Sequence, residues 1–166
     1  MSNGTKVKKR DGRIESLDLD KMHLMVDEAC QGLAGVSASQ VEMKSGIQFY
    51  DGITTAEIQE ILIKSASDLI DLDHPNYQFV AARLLLFALR KQLYGRMREF
   101  PSLSDHITKL AYDDVYDKDI FLKYSIEEIK KAEGFIDNDR DFLFTYAGLR
   151  QVVDKYLVQD RSSGEV

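Results

Sequence analysis

The sequence predicts a mainly α-helical protein that begins with a small β element. Apolar residues recur at helical spacing through most of the 166 residues. Only two prolines, Pro75 and Pro101, interrupt these patterns. The exception is residues 5–17, where Asp11-Gly12 separates two short strand-like runs, as in a β-hairpin. We therefore expect a hairpin, then four helices, then a further helical segment.

The hairpin should run out over residues 5–10 and back over residues 13–17. An Asp-Gly pair suits a two-residue turn because both central positions need positive φ. An isolated hairpin is only marginally stable, so it must pack on other elements. Its apolar contacts would come from Val7, Ile14 and Leu17.

The first two helices are predicted from their start and stop signals. Asp18 is a suitable N-cap for the first helix, and Gly32 and Gly35 suggest where it ends. Residues 37–40 (Ser-Ala-Ser-Gln) resemble a capping box for a short second helix that ends near Tyr50. The apolar stripe of the first helix consists of Leu19, Met22, Val26, Cys30 and Leu33.

The third and fourth helices should form most of the core. After a turn at Asp51-Gly52, residues 54–57 (Thr-Thr-Ala-Glu) form a second capping box. Residues 73–76 (Asp-His-Pro-Asn) should break the third helix, and the fourth is predicted over about residues 77–96. The apolar positions are Ile58, Ile61, Leu62, Ala66 and Leu69 in the third helix, and Val80, Ala81, Leu84, Leu85, Phe87 and Ala88 in the fourth.

The chain changes character after Gly95. Residues 100–102 (Phe-Pro-Ser) look like a connector, and shorter helical patterns follow. One of them is capped by Ser125 with Glu128, and another is predicted over residues 142–153. We predict two domains, residues 1–97 and residues 98–166.

The bulk composition argues against several classes of function. The chain contains no run of 18 apolar residues, and its polar N-terminal stretch is unlike a signal peptide. One cysteine, Cys30, excludes an internal disulfide framework and a cysteine-based zinc site. The net charge of −6 argues against general nucleic-acid binding, and no phosphate-loop motif for ATP hydrolysis occurs. These features favour a cytoplasmic protein.

Other features that resemble functional sites have simpler explanations. The three aspartates in residues 137–141 resemble a calcium loop, but Phe142 and Gly148 stand where that loop needs glycine and glutamate. These acids should instead cap a helix or pair with Arg140. The three histidines show no metal-ligand spacing. Cys30 lies on an apolar stripe, which is typical of a core thiol.

Positive charge is concentrated at the N-terminus. Residues 1–13 hold five basic residues against one acid, Asp11. Lys9 and Arg10 precede the hairpin turn, and Lys21 lies one turn into the first helix. Such a patch in an acidic protein suits a small anion, although a solvated basic tail explains the same composition.

Two further positions extend this patch towards a nucleotide site. Thr55 lies at a helix N-terminus, where free N–H groups and the helix dipole favour anions. Phe87 and Lys91 are spaced i, i+4, so that a ring and a cation share one helix face. Spacing alone leaves open that the lysines are solvated and that Phe87 belongs to the core.

Several ungapped blocks follow one another in a fixed order along nearly the whole chain. The blocks are residues 7–12 with Glu15, 18–21, 48–53 with Thr55, 68–70, 77–84, 89–91 with Tyr94-Gly95, 135–137 with 139–141, 155–159, and Gly164-Glu165. The first looks like the opening signature of an ATP-cone. Together they resemble the N-terminal part of the large subunit of class I ribonucleotide reductases, of bacterial and phage type.

This resemblance implies a small β cap over a four-helix bundle, followed by a helical segment, and a site for a nucleotide effector. In that family, ATP bound to the cone activates the enzyme and dATP inhibits it. Mg²⁺ would accompany the phosphates without a dedicated carboxylate cage. The resemblance implies that the triphosphate would be faced by Lys9, Arg10 and Lys91. The nucleoside would be enclosed by Val7, Met22, Ile58 and Phe87, and its polar edges would contact Glu15, Asp18 and Lys21. The sugar would lie near Thr55 and Gln59.

Two positions depart from the family's pattern. Position 18 is Asp where relatives often have Asn, so it can accept a hydrogen bond from an adenine amino group but cannot donate one. Position 59 is Gln where well-studied relatives have His. Gln59 puts the preference between ATP and dATP in doubt.

The resemblance also limits what this chain can do alone. Reductase chemistry in the family uses a radical-forming cysteine and a redox-active cysteine pair in a ten-stranded barrel, which Cys30 cannot supply. We expect the regulatory end of a longer enzyme, whose partners are the small radical-bearing subunit and other large subunits. The alternatives are a stand-alone ATP-cone regulator, which would need a cysteine-rich zinc ribbon, and a helical interaction module with no ligand.

Overall fold

The computed structural model describes residues 5–98 and 100–159, and it confirms the mainly α-helical fold with a small β element. Gly164 and Glu165, the last block of the resemblance, lie outside the described residues. The strands are β1 Lys6–Lys8, β2 Ile14–Ser16 and β3 Ile53–Thr54. The α-helices are α1 Leu19–Cys30, α2 Ala38–Gly46, α3 Thr55–Ser67, α4 Tyr77–Tyr94, α5 Leu103–Tyr112, α6 Ile120–Lys123, α7 Ile126–Glu133 and α8 Tyr146–Lys155, with a 3-10 helix at Asn138–Leu143.

The β element is a three-stranded sheet in the order β2-β1-β3. Strand β1 is antiparallel to β2 and parallel to β3, with Val7 opposite Ile53. The turn at Asp51-Gly52 makes this pairing possible, since Gly52 has a φ of 88° and its N–H donates to the Lys6 carbonyl at 2.8 Å. Strand β3 was not predicted, and it joins the hairpin directly to the start of α3.

The predicted two-residue hairpin turn is wrong. Lys9 N donates to Arg13 O at 2.8 Å and Gly12 N donates to Lys9 O at 2.9 Å, so the loop has three residues. Gly12 has a positive φ of 86° but Asp11 does not, as expected for a type I turn followed by a left-handed glycine. The predicted apolar contact of Ile14 is also wrong, because its side chain is 69% exposed on the outer strand.

Of the four predicted N-caps, those at Asp18, Thr54 and Ser125 are confirmed and the one at Ser37 is wrong. The Asp18 carboxylate accepts from Lys21 N at 2.9 Å, and capping boxes begin α3 at Thr54 and α7 at Ser125. The box predicted at residues 37–40 is wrong. Ser37 makes no side-chain cap, and Gln40 accepts from the Tyr77 hydroxyl at 2.7 Å instead. Helix α2 also ends at Gly46 rather than near Tyr50.

Helix α4 is the central element of the core, as its wide apolar arc predicts. It packs against α1, α3 and α8, and most of its side chains are buried. It ends at Tyr94, where Gly95 adopts the left-handed conformation that closes the last turn. On α1, Val26 and Ala29 are buried, whereas the predicted core position Leu19 is exposed, because it lies at the very start of the helix.

The helices after residue 97 do not stand apart from this core. Leu149 and Val153 of α8 are buried in the same apolar cluster as α4, while α5 packs against α7. The predicted helix over residues 142–153 starts too early, since α8 begins at Tyr146 behind a Thr145 cap. Asp141 pairs with Arg90 of α4 rather than with Arg140, because its short 3-10 helix lies against α4.

Among the described helices, none is long and apolar enough to cross a membrane.

Candidate functional site

Four cationic side chains from three elements lie close together. Lys9 and Arg10 come from the hairpin turn, Lys21 from the first turn of α1 and Lys91 from the last turn of α4. Burial lowers the pKa of the Lys91 ammonium, and the charges of Lys9, Lys21 and Arg10 lower it further. The hairpin is also tied to α4, because Arg10 Nη1 donates to the Lys91 carbonyl at 3.4 Å.

Opposite charge compensates only part of this cluster. Lys9 Nζ lies 3.3 Å from Glu15 Oε2, and the other Glu15 oxygen lies 3.3 Å from Arg13 Nη1. Within residues 5–98 and 100–159, neither Arg10, Lys21 nor Lys91 forms an ion pair. The cations in such a compact group repel one another. Binding of a small ligand with several negative charges is therefore favourable, because its attraction to each cation offsets this repulsion.

Two acidic side chains lie on the same elements as this cluster. Glu15 is the partner of Lys9 on strand β2, and Asp18 caps α1 through its Oδ1 atom. The second oxygen of Asp18 is not used in the cap and is available as an acceptor. The resemblance assigns both residues to the polar edges of a nucleoside, and their positions beside the cations are compatible with that role.

The predicted nucleoside wall is mostly part of the core. Val7, Ile58 and Phe87 are 2%, 6% and 1% exposed, and Met22 is partly buried against them. The Phe87 ring makes an edge contact with Phe142, with centroids 6.2 Å apart. Only a small part of this apolar floor is therefore exposed to a ligand.

The N-terminus of α3 is less available to an anion than its position suggests. Its Thr54 N–H donates to a Glu57 oxygen at 2.8 Å, and Glu57 N donates back to the Thr54 hydroxyl at 3.2 Å. Hydrogen bonds from Thr54 and from the Tyr50 hydroxyl lower the pKa of the Glu57 carboxyl. The Glu57 carboxylate thus already occupies this helix end. Thr55 would therefore lie beside a bound anion rather than bind it through the helix N-terminus.

Gln59, one turn further along α3, has an unsatisfied polar atom. Its Nε2 is buried and has no hydrogen-bond partner among the described residues. A buried amide donor without a partner is uncommon and costs free energy. A polar ligand atom next to α3 would remove that cost, which fits the position near a sugar that the resemblance gives to Gln59.

A separate groove of about 700 Å³ lies between α1 and α2. Of the predicted site residues it contains Met22, beside Asp20 and Glu42. His23 spans its two helices, because His23 Nδ1 lies 2.8 Å from Glu42 Oε1. With two carboxylates in its lining, this groove is a poor site for polyphosphate, and the cation cluster lies outside it.

Sequence reasoning missed the residues that attach the later helices to α4. Arg90 is a buried charge in an otherwise apolar stretch of α4, and it binds Asp141 with Nη2 2.7 Å from Oδ2. The signal was available, because an arginine at a core position normally needs a carboxylate partner. The identity of that partner was not available, since it lies 51 positions further along the chain.

The comparisons with known proteins identify the family. The ATP cone domain model matches residues 5–92, which contain the sheet, α1 to α3, most of α4 and all four cations. The chain belongs to the ATP-cone family. Membership implies a nucleotide as the bound effector.

The relatives extend the similarity beyond the cone. The chain is 49% identical over all 166 residues to ribonucleoside-diphosphate reductase 1 subunit alpha of Escherichia coli K12. It is 48% identical over all 166 residues to ribonucleoside-diphosphate reductase subunit alpha of Haemophilus influenzae, and 41% identical over 160 residues, 95% of the chain, to that of Enterobacteria phage T4. It spans 22%, 22% and 21% of these relatives.

Proposed function

We propose that this chain is the allosteric region of a ribonucleoside-diphosphate reductase large subunit, an enzyme that makes deoxyribonucleotides for DNA synthesis. ATP would act as its activator and dATP as its inhibitor. The observation that carries the proposal is the cluster of Lys9, Arg10, Lys21 and Lys91, in which only Lys9 has a carboxylate partner among the described residues. A nucleoside triphosphate matches the cluster in charge, and its base matches the apolar floor beside it.

The site residues divide by chemistry. Lys9, Arg10 and Lys91 would bind the phosphates through charge-assisted hydrogen bonds. On binding, Lys9 would exchange Glu15 for a phosphate oxygen, and Glu15 would keep Arg13 as its partner. The polar edges of the nucleoside would be contacted by Lys21, Glu15 and Asp18. The apolar side chains beneath it would be Val7, Met22, Ile58 and Phe87. The sugar would lie beside Thr55 and Gln59.

Mg²⁺ would enter with the phosphates rather than through protein ligands. Among the described residues, no group of three or more histidine, cysteine or acidic side chains could hold a metal ion. Mg²⁺ commonly keeps several waters and binds substrate phosphates, so such a cage is not needed.

The whole enzyme would supply what this region lacks. Burial raises the pKa of the Cys30 thiol to about 11, so at neutral pH it is neutral and a weak nucleophile. Reduction would take place elsewhere in a large subunit, with a small radical-bearing subunit as its partner, in the cytoplasm. Within this chain we assign residues 1–97 to the cone and residues 98–166 to the start of the adjoining helical domain.

A thermal melt tests the nucleotide site directly. The chain is melted with ATP, dATP, GTP and no nucleotide, beside a Lys9→Ala/Lys91→Ala double variant. At 100 times the dissociation constant, one bound nucleotide stabilises the fold by about 2.7 kcal/mol, a shift of about 5–10 °C for a protein of this size. The expected result is a shift with ATP and dATP that GTP does not give and the double variant loses.

The same melt decides the alternatives. The ratio of the ATP and dATP shifts reports the effect of Gln59 at the sugar, since the two ligands differ only in the 2′-hydroxyl. The absence of any shift at millimolar ATP would contradict the proposal and leave a helical interaction module.

A further inference from the structure

One aromatic ring from the later helices is inserted against α4. The Phe142 centroid lies 5.4 Å from the guanidinium carbons of both Arg83 and Arg90, two turns apart on α4. Phe87 lies between these arginines and contacts the same ring at 6.2 Å. Phe142 therefore contacts Phe87, a residue that the proposed nucleotide site also uses.

An ion pair between buried Arg90 and partly exposed Asp141 holds the residue next to this ring. Arg90 is 6% exposed, and its Nη2 donates to Asp141 Oδ2 at 2.7 Å and to the Asn138 carbonyl at 3.3 Å. Its guanidinium also stacks over Phe100 at 4.5 Å. Removal of the Asp141 carboxylate would leave the buried Arg90 charge without its ion-pair partner, so the attachment of this segment to α4 depends on it.

The same contact reaches α1. Arg83 Nη1 donates to the carbonyls of Ala29 and Gln31 at 3.1 and 2.7 Å, at the C-terminal end of α1. Helix α1 carries Lys21 and α4 carries Lys91. The 3-10 helix at Asn138–Leu143 thus lies against α4 directly and is linked to α1 only through the Arg83 side chain.

We propose that Asn138–Leu143 is a coupling segment, through which nucleotide binding at the cone and packing of the later helices on α4 stabilise each other. This inference rests on the proposed nucleotide site. The physical route is short, because Arg90 and Lys91 are consecutive residues and Phe87 lies one turn before them. Coupling of this kind is reciprocal, so the factor by which the bound nucleotide favours packing of the segment equals the factor by which packing of the segment raises nucleotide affinity.

The segment lies outside the part of the chain that defines the family. The ATP cone domain model ends at residue 92, whereas Asp141 and Phe142 come about 50 positions later. The contacts on α4 therefore make cone affinity a property of the cone together with its adjoining helices. Their effect would be to report nucleotide occupancy to residues beyond the cone.

The test uses the whole 166-residue chain. ATP affinity is measured by calorimetry for the wild type, Asp141→Asn and Phe142→Leu, and hydrogen exchange of α8 is followed with and without ATP. We expect ATP to slow exchange in Tyr146–Lys155 of the wild type. Both variants should bind ATP about 10-fold more weakly, within the usual range of allosteric coupling, and should lose most of that slowing.

Two controls separate coupling from general loss of stability. Asp154→Asn makes the same chemical change in the exposed Arg150–Asp154 pair of α8, away from α4. Ile129→Val loosens the packing of α7 on α5 without touching α4. Both should keep wild-type affinity, and Asp141→Glu, which retains the charge, should restore most of what Asp141→Asn loses.

The outcomes distinguish the two proposals. If the wild type binds ATP but Asp141→Asn and Asp141→Glu match it in affinity and exchange, the coupling is wrong and the nucleotide site stands. This pair of variants decides the matter even if Phe142→Leu does not fold. If the wild type binds no ATP, the proposed function fails and the coupling fails with it.

Discussion

At the scale of single residues, Lys91 is central to the proposed triphosphate site. Its ammonium is partly desolvated and faces three other cations, and both effects lower its pKa. In the free protein, the charged lysine therefore costs stability, a cost that is full below its lowered pKa and is removed as pH rises from there to the ordinary pKa of lysine. With a triphosphate bound, the same charge becomes favourable. Lys91 should thus oppose folding of the free protein and promote binding.

Lys91→Met separates these two effects. We expect the free variant to melt about 2 °C higher than the wild type, because exposed charge interactions amount to a few tenths of a kcal/mol or slightly more. The rise in melting temperature that ATP causes should be less than half of the rise in the wild type. Lys64→Met on α3 is the matched control, an exposed lysine outside the cluster, and should leave the shift unchanged. If Lys91→Met lowered the melting temperature of the free protein and kept the wild-type ATP-induced shift, Lys91 would not belong to the site.

The pH dependence of binding follows from the same lysine. Binding needs the protonated ammonium, so ATP affinity should be full at neutral pH and should fall as pH rises through the lowered pKa of Lys91. The decline should begin below the ordinary titration range of lysine. Calorimetry from pH 7 upward measures it, and Lys91→Met should lack this component. A wild-type affinity that stays constant until ordinary lysines titrate would contradict the assignment.

At the scale of elements, local signals were reliable and pairing between distant segments was not. The caps at Asp18, Thr54 and Ser125 were predictable because each depends on residues within one turn. Strand β3 is two residues long and exists only through its pairing with β1, so no local pattern could predict it. The failed box at Ser37 has the same origin, since distant Tyr77 binds Gln40 instead.

Two of the three predicted capping boxes give a matched pair of variants. Thr54→Ala removes a hydroxyl that accepts from Glu57 N, and it should cost about 1 kcal/mol, or a melting temperature lower by about 3 °C. Ser37→Ala removes a hydroxyl that makes no cap, so its effect should be close to zero. Equal losses in the two variants, measured by thermal melts, would show that the Thr54 box contributes nothing of its own.

At the scale of the whole molecule, α4 serves the site and the later helices at once. The cations of the site could be listed from the sequence because the resemblance aligned them, but their mutual proximity depends on the hairpin and α4 meeting in space. The attachment of Asp141 to Arg90 could not be predicted for the same reason. The predicted boundary near residue 97 therefore does not separate two apolar cores, because Leu149 and Val153 are buried in the same cluster as α4.

A chain that ends at Met97 tests this integration. It loses Leu149 and Val153, which are buried with α4, and leaves Arg90 without Asp141. Loss of two buried aliphatic side chains alone costs about 3–6 kcal/mol, so we expect the shortened chain to melt at least about 8 °C lower. Equal melting temperatures for the two chains would show that the cone is stable without its adjoining helices.

The most direct test of the central claim is a calorimetric titration of the chain with ATP and, separately, with AMP. If Lys9, Arg10 and Lys91 bind a triphosphate, ATP should bind in the micromolar range and AMP about 100-fold or more weakly, since two phosphates and their ion pairs are missing. The affinity for ATP should also fall as salt is added. No heat at millimolar ATP, or equal affinities for ATP and AMP, would contradict the claim.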